Sequence, residues 1–461
     1  MKSLIYMILL AALLSCSTEN RPTYDLIIQN SSLIDGTGSP VISNVHIYVQ
    51  NGRISQITSA PIENAVSDNV IAGKGKYIIP GLFDAHFHLM YNPGKFERTL
   101  QQLIHFGVTG ILIPGGSLAT YENLAGLKQL EQEGQMVTPH LFYTSLTSTL
   151  EGGHPMKMYG ASNYIDSVSV HIVQGTDHIR SIVLEAAENN VSGIKIMIED
   201  GPMPPLTPRM PPEYISAFTE AGNELNLPVF AHISDMEEVK MGVEGGVDAF
   251  MHFMGVLIDW EEDQSIIDQI VSDNISWVTT GMLAKSIFYP LNKEWLEQDE
   301  FSVFEQDQIL PLTDPEGRLE SESRMILSDF FGSESVPMEA VLQPMMSDLK
   351  RLYDEGVNIV LGTDVAGRPY ILPGVSVHEE MQLLQLGGFT PEEIIRISSY
   401  NAAQMLGISD DYGSIEEGKI ADMIFLNEDP AEDISNTLSI ETVIKEGKIQ
   451  ERLNSNSDNN E

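Results

Sequence analysis

Gly81-Leu82-Phe83-Asp84-Ala85-His86-Phe87-His88 follows the apolar run Tyr77-Ile78-Ile79-Pro80, and the reading of this stretch decides the fold. The apolar approach reads as a buried strand. Side chains alternate faces along a strand, so His86 and His88 project from the same side. Two neutral imidazoles converging at a strand end make half of a metal site. A bare His-x-His pair fits equally well with one buried, hydrogen-bonded histidine and one solvated histidine. Its meaning therefore depends on what else the chain brings to that end of the strand.

Downstream, strand alternates with helix. Residues 107–113, 141–143, 193–198, 227–232, 247–252, 275–279 and 357–364 each read as a buried strand, and 212–226 as an amphipathic helix opening with Pro-Pro-Glu. With the strand carrying His86 and His88 this makes an eight-strand alternation, whose natural closed form is a parallel TIM-like (β/α)8 barrel. Residues 80–409 are assigned to it. The segment 285–344, rich in Glu, Asp, Ser and Pro, interrupts the rhythm after the seventh strand. It reads as a long loop with short helices. Loops in that position lie at the catalytic face, so it is either a lid or a solvated insertion.

Both chain ends have a different character. Residues 25–28 and 45–49 read as strands, Asn51-Gly52 as a hairpin turn, and 421–426 and 442–445 as further strands. Residues 25–79 and 410–450 are expected to pair into one composite β-sandwich domain. Residues 451–461 read as a disordered acidic tail.

The 461 residues are 42% hydrophobic and 20% charged, enough for a large core. Acidic residues outnumber basic ones 66 to 25, a net charge of -41. That excludes a nucleic-acid surface, which needs a basic patch, and is read as a solvated acidic exterior. At the N-terminus, Met1-Lys2-Ser3 precedes an apolar run from Leu4 to Leu14 and then Ser15-Cys16-Ser17. This pattern reads as a secretory signal, too short for a comfortable transmembrane helix. Leu13-Leu14-Ser15-Cys16 resembles a bacterial lipobox, which implies cleavage before Cys16 and lipidation of its thiol. The expectation is a signal over 1–16, a polar tether over 17–24, and a lipoprotein anchored in the bacterial cell envelope. Cys16 is the single cysteine of the chain, so no intrachain disulfide can form.

Polar residues recur at the strand ends: His86 and His88 on the first, Lys195 on the fourth, His232 on the fifth, His252 on the sixth and Asp364 on the eighth. In a barrel these ends converge on one pocket. One such residue has a bland explanation; six of ligand type do not easily share one.

At these residues the chain resembles the amidohydrolase superfamily, in its imidazolonepropionase-like and Xaa-Pro dipeptidase (prolidase)-like branch. The resemblance runs from about Asp25 to Ile449. It is carried by the stretch from Pro80 to His88, Gly193-Ile194-Lys195, Ala231-His232, Met251-His252, Gly362-Thr363-Asp364, Asn401-Ala402-Ala403 and the run from Gly413 to Asp422. It implies two divalent metal ions, zinc being favoured by the donor set, in the barrel mouth. His86, His88 and Asp364 would hold the more buried ion, and His232 and His252 the other. Lys195, buried and so easily deprotonated, would be carboxylated and bridge the two. Asp364 would shuttle the proton of the attacking water. The implied reaction is hydrolysis of an amide, peptide-like or cyclic amide C–N bond in a small or dipeptide substrate.

Glu151-Gly152-Gly153-His154 resembles the Gly-Gly-His element of the dipeptidase-like branch, which makes His154 a substrate-contacting and catalytic candidate. Arg209 and Arg368, in expected mouth loops, are candidates for a substrate carboxylate. The chain also departs from the family pattern. It has Met251 before His252 where relatives often have Glu, Ser234 two after His232 where many have Tyr or His, and Ile113-Pro114-Gly115-Gly116 where an Arg-Asp pair is common. These departures touch dipeptide specificity rather than the metal chemistry. The other readings are a mononuclear deaminase or imidazolonepropionase-type hydrolase, and a non-catalytic binding lipoprotein on the same scaffold.

Overall fold

The computed structural model describes residues 21–89, 96–115, 120–156, 166–201 and 206–453. The expected signal and Cys16, the tether up to residue 20, Gly116 and the tail from 454 onward lie outside the described residues. Among the described residues no helix is long and apolar enough to cross a membrane.

The two chain ends pair into one sheet. Leu26–Leu33 runs antiparallel to Ile42–Gln50, which turns back into Arg53–Thr58. Asn51 and Gly52, at φ 55° and 74°, occupy the left-handed region that a two-residue hairpin turn requires. At the other end, Met423–Leu426 pairs antiparallel with Ile440–Lys445. Tyr77–Pro80 joins the halves, parallel to Leu26–Leu33 on one edge and antiparallel to Met423–Leu426 on the other. Ile28, Ile47, Val49, Met423, Phe425 and Ile444 form the core of this eight-stranded sheet. Because Tyr77–Pro80 leads directly into Leu82–Asp84, this sheet sets where the histidine-bearing segment begins.

The remaining strands are parallel. Leu82–Asp84, Val108–Ile113 and His140–Tyr143 form one sheet. A second runs through Thr147–Thr149, Ile194–Met197, Val229–His232, Ala249–Met251, Ser276–Val278 and Asn358–Val360, with Val170–Ile172 at its edge. Every residue of Val108–Ile113 is buried, as a parallel strand covered on both faces requires. The sheets meet on both sides. Ser192 N donates to Tyr143 O (2.7 Å) and Ser145 N to Gly193 O (2.9 Å); at the other junction Ala85 N donates to Leu361 O (3.0 Å) and Asp364 N to His86 O (2.8 Å). This is a TIM-like hydrolase fold. The regular strands are shorter than the apolar runs. The ladder residues of the last stop at Val360, and the chain then turns inward, with Asp364 at φ 60°.

The long insertion is more helical than its composition indicates. It contains Arg318–Phe331 and leads into Met338–Glu355, and Pro344, the expected end of the insertion, lies inside that second helix. Leu342, Met346, Leu349 and Leu352 bury one continuous stripe there, which outweighs the roughly 3 kcal/mol an interior proline costs. Nor is the insertion merely solvated. Tyr289 is buried and stacks on Tyr370 at 5.2 Å, and Tyr370 Oη donates to Leu312 O (2.7 Å). Lys285 Nζ donates to Glu379 (2.7 Å). These contacts fasten it to the loop that follows Asp364 and to the helix Val375–Leu386 beyond it.

Candidate metal centre

The six ligand-type side chains of the strand ends meet in one pocket. Ring centroids lie 4.4 Å apart for His86 and His252, 4.3 Å for His232 and His252, and 5.1 Å for His86 and His88. Asp364 Oδ1 lies 3.2 Å from His88 Nε2 and 3.6 Å from His86 Nε2, and its Oδ2 is 3.9 Å from His252 Nδ1. Local backbone turns aim these groups inward. His252, Thr280 and Asp364 have φ of 79°, 54° and 60°. Each such non-glycine residue costs on the order of 1–3 kcal/mol, a strain that persists only where surrounding structure enforces it. Gly362 permits the close approach: a Cβ there would lie 2.8 Å from His86 Cβ and 2.5 Å from Val278 Cγ1.

A layer of hydrogen bonds holds the pocket from beneath. Buried Asp84 accepts from His86 N (3.1 Å), Thr363 N (2.9 Å) and Thr363 Oγ1 (2.5 Å), so one carboxylate pins both the first and the last strand end. His88 Nδ1 meets Gly115 O at 2.7 Å, and His252 Nδ1 meets Thr280 Oγ1 at 3.0 Å. Glu380 accepts from Gly281 N (2.8 Å) and Met282 N (2.7 Å), fixing the turn that carries Thr280. Such partners orient ligating imidazoles and select their tautomer.

Burial, reinforced by neighbouring imidazoles and Lys195, pushes His86, His232 and His252 well below the ordinary histidine range. They are neutral at physiological pH, the form that binds cations. Lys195 is 2% exposed, and burial brings its ammonium down to about 7 against the opposing pull of Asp364 and Glu199. Burial alone would raise Asp364, but the hydrogen bond and charge of His88, with His252 and Lys195, hold it below the usual carboxylate range. His86 Nδ1, His252 Nε2 and Lys195 Nζ are all buried without a hydrogen-bond partner among the described residues. An unsatisfied buried polar group costs about 1–3 kcal/mol. A cluster of three, each of a type that ligates cations directly or after carboxylation, beside the Asp364 carboxylate, fits a metal centre. Donor atoms of His86, His252 and Asp364 lie within 4.8 Å of one another, as do those of His154, Glu199 and His232. An imidazole and carboxylate set of this kind suits zinc, manganese or iron.

Residues 77–450 match the sequence profile described as the Amidohydrolase family. The chain belongs to that family. It is similar to an ochratoxinase of Aspergillus niger, 22% identical over 442 residues that cover 88% of this chain and 82% of the relative. It is also similar to an imidazolonepropionase of Geobacillus kaustophilus, 24% identical over 438 residues, with coverage of 89% and 90%. A crystal structure of a Xaa-Pro dipeptidase with methionine bound in its active site superposes with a TM-score of 0.68 at 22% identity, over 92% of this chain and 99% of that one. These likenesses put this amidohydrolase in the imidazolonepropionase and prolidase-like branch.

The other expected site residues are placed unequally around the amidohydrolase pocket. His154 stacks on His232 at 4.9 Å, with Nδ1 3.9 Å from Glu199 Oε2. Arg209 is not available to a substrate carboxylate, contrary to expectation. Its guanidinium already faces Asp235 (2.9 Å), Asp200 (3.1 Å) and Glu238 (3.3 Å), which neutralise it. Arg368 lines a cavity of about 340 Å³ beside His88, together with Thr99, Ile371 and Pro373. One of its nitrogens lies 3.5 Å from Glu322, while its buried Nε has no partner among the described residues. The sequence reading omits Asp84, Thr280, Glu380 and Glu199. For Glu199 a signal existed, a carboxylate four residues past Lys195 at the same strand end.

Proposed function

We propose that this amidohydrolase hydrolyses an amide, peptide-like or cyclic amide C–N bond in a small substrate that carries a carboxylate, using two divalent cations, zinc in the first instance. The observation that carries the reading is Lys195, a buried amine with no hydrogen-bond partner among the described residues, in the middle of an imidazole and carboxylate cluster. Neutral, it can take up carbon dioxide and become an anionic bridge between two cations. A single-cation, deaminase-type site leaves that lysine without a task. His86, His88 and Asp364 would hold one cation, His232 and His252 the other, with carboxylated Lys195 between them. Such a pair supplies a water ionised near neutral pH and an electrophile for the scissile carbonyl.

The chain's own groups do the rest. Asp364, kept ionised by His88, accepts the proton of the attacking water and returns it to the leaving nitrogen. His154, beside His232, donates a hydrogen bond to the carbonyl oxygen as charge develops there. Arg368, in the cavity next to His88, receives the substrate carboxylate. Methionine in the active site of the dipeptidase neighbour supports a substrate of amino-acid character, as does the name of the Xaa-Pro dipeptidase itself.

The test is turnover by the metal-loaded protein of a panel of Xaa-Pro and other dipeptides, N-acyl amino acids, lactones and phosphoesters. Amides bearing a free carboxylate are expected to react, and Arg368→Ala to raise KM for them by about tenfold or more. Turnover of lactones or phosphoesters with no amide cleaved would sink the C–N assignment.

A further inference from the structure

Glu199 has no role in the hydrolysis just described, and its surroundings are unusual. It follows the strand Ile194–Met197, is 3% exposed, and places Oε2 against His232 Nε2 and 3.9 Å from His154 Nδ1. Beyond these imidazole nitrogens, Oε2 meets no backbone, hydroxyl or amide donor among the described residues. Neighbouring buried carboxylates are provided for. Glu238 accepts from Ser234 N (2.6 Å) and Asp200 N (3.1 Å), and Asp84 and Glu380 take backbone and hydroxyl donors as described above. Among the described residues no lysine or arginine lies within ion-pair distance of Glu199, and Lys195 acts on it only through its charge. Arg209, the nearby arginine, is taken up by Asp200, Asp235 and Glu238. A buried carboxylate oxygen held only against imidazole nitrogens, with no backbone or hydroxyl donor, is an arrangement that folding alone does not favour.

A cation resolves this. Glu199, His232 and His154 come from three separate segments, and their donor atoms lie within 4.8 Å of one another. We propose that Glu199 is a direct ligand of the second cation, sharing it with His232, while His154 stands beside them. The inference rests on the two-cation reading above and adds to it. The second cation gains a permanent anionic ligand, so its retention does not depend wholly on carboxylation of Lys195. It also gives the carboxylate a task distinct from that of Asp364, which lies with His86 and His88.

The experiment measures metal binding rather than turnover. Zinc stoichiometry and affinity are determined by calorimetry and elemental analysis on the full-length protein and on Glu199→Gln, which keeps the shape and removes the charge. The native protein is expected to bind two zinc ions. Glu199→Gln should keep the first with unchanged affinity and bind the second at least about tenfold more weakly, by analogy with the 10–100-fold typical of losing even an outer partner of a metal ligand. Two ions bound with native affinity by Glu199→Gln would overturn the proposal. Should that variant fail to fold, anomalous diffraction from zinc-loaded native protein decides the matter. A Glu199 oxygen about 2.0–2.2 Å from the second ion supports it, and a second ion coordinated without Glu199 refutes it. Native protein that holds a single zinc ion would refute the two-cation reading itself, a separate result.

Discussion

His140 and His252 are both buried, both lie at strand ends and both stand among carboxylates, yet the chain treats them in opposite ways. His140 begins the strand His140–Tyr143, at the end of the parallel strands away from the pocket. Its Nδ1 meets Glu131 and its Nε2 meets Asp422, each at 2.9 Å, and Lys445 adds a positive charge 3.0 Å from Glu131. Burial pushes this imidazole down, but Asp422 and Glu131 overcome it and raise it to about 9, so it is an imidazolium. His252 has one nitrogen on Thr280 and the other without a hydrogen-bond partner among the described residues, and it is neutral. Glu131, His140 and Glu446 have the composition of a metal site just as His86, His252 and Asp364 do. The first group is closed by its own charges, and the second is left open. What marks a site for a cation is therefore not how many ligand-type residues gather but which of their atoms remain unsatisfied.

The largest effect should come from the open cluster. Asp364→Asn is expected to lower turnover about a thousandfold or more, because the amide can still approach a cation weakly but cannot carry a proton. Steady-state kinetics beside elemental analysis would check this; near-native turnover with both ions present would remove Asp364 from the proton path. At the closed cluster the response should be in stability. His140→Gln leaves the half-buried Glu131 and Asp422 without their shared cation, though Glu131 keeps Lys445, and should cost about 2–3 kcal/mol in denaturant unfolding, with little change in turnover of the folded fraction. The pH dependence has a definite sign. The folded value, about 9, lies above the ordinary 6.5, so the stabilisation is fully present below pH 6.5 and is lost as pH rises through 9. The gap between native protein and His140→Gln should narrow over that window, and a gap that widens would reverse the assignment of charge. The smallest effect belongs to Thr280. Thr280→Ala should weaken zinc binding about tenfold by freeing His252 Nδ1, and Thr280→Ser should restore it. Equal affinities for the two variants would show that the hydroxyl does not orient the ring.

The open cluster was largely visible in sequence, and the reason is local. Each strand end is an apolar run interrupted by one histidine, lysine or aspartate, and the two-residue spacing of His86 and His88 follows from strand geometry alone. The hairpin at Asn51-Gly52 was legible for the same reason, since only a few residues tolerate that backbone. Features that depend on several segments were not. Glu199-Asp200-Gly201 reads as an ordinary polar turn until His154 and His232 arrive beside it. Arg209 looks like a free cation until Asp200, Asp235 and Glu238 fold around it. Pro344 looks like a boundary because local propensity says so, and only the buried stripe of its helix overrides that. Asp84, Thr280 and Glu380 act on partners that no spacing rule connects to them.

The sheet built from both chain ends has a consequence for synthesis. Arg53 in its first half bonds to Asp411 near its last, across 358 positions. At roughly 5–20 residues per second, a ribosome takes tens of seconds to cover that interval. Throughout it, the edge of Tyr77–Pro80 that later pairs with Met423–Leu426 stands open, next to the segment that bears the first two histidines. An open strand edge invites pairing with other chains. The nascent protein thus carries an open strand edge from early in translation until residues 423–426 emerge, and a truncation that removes them would leave that edge uncovered for good.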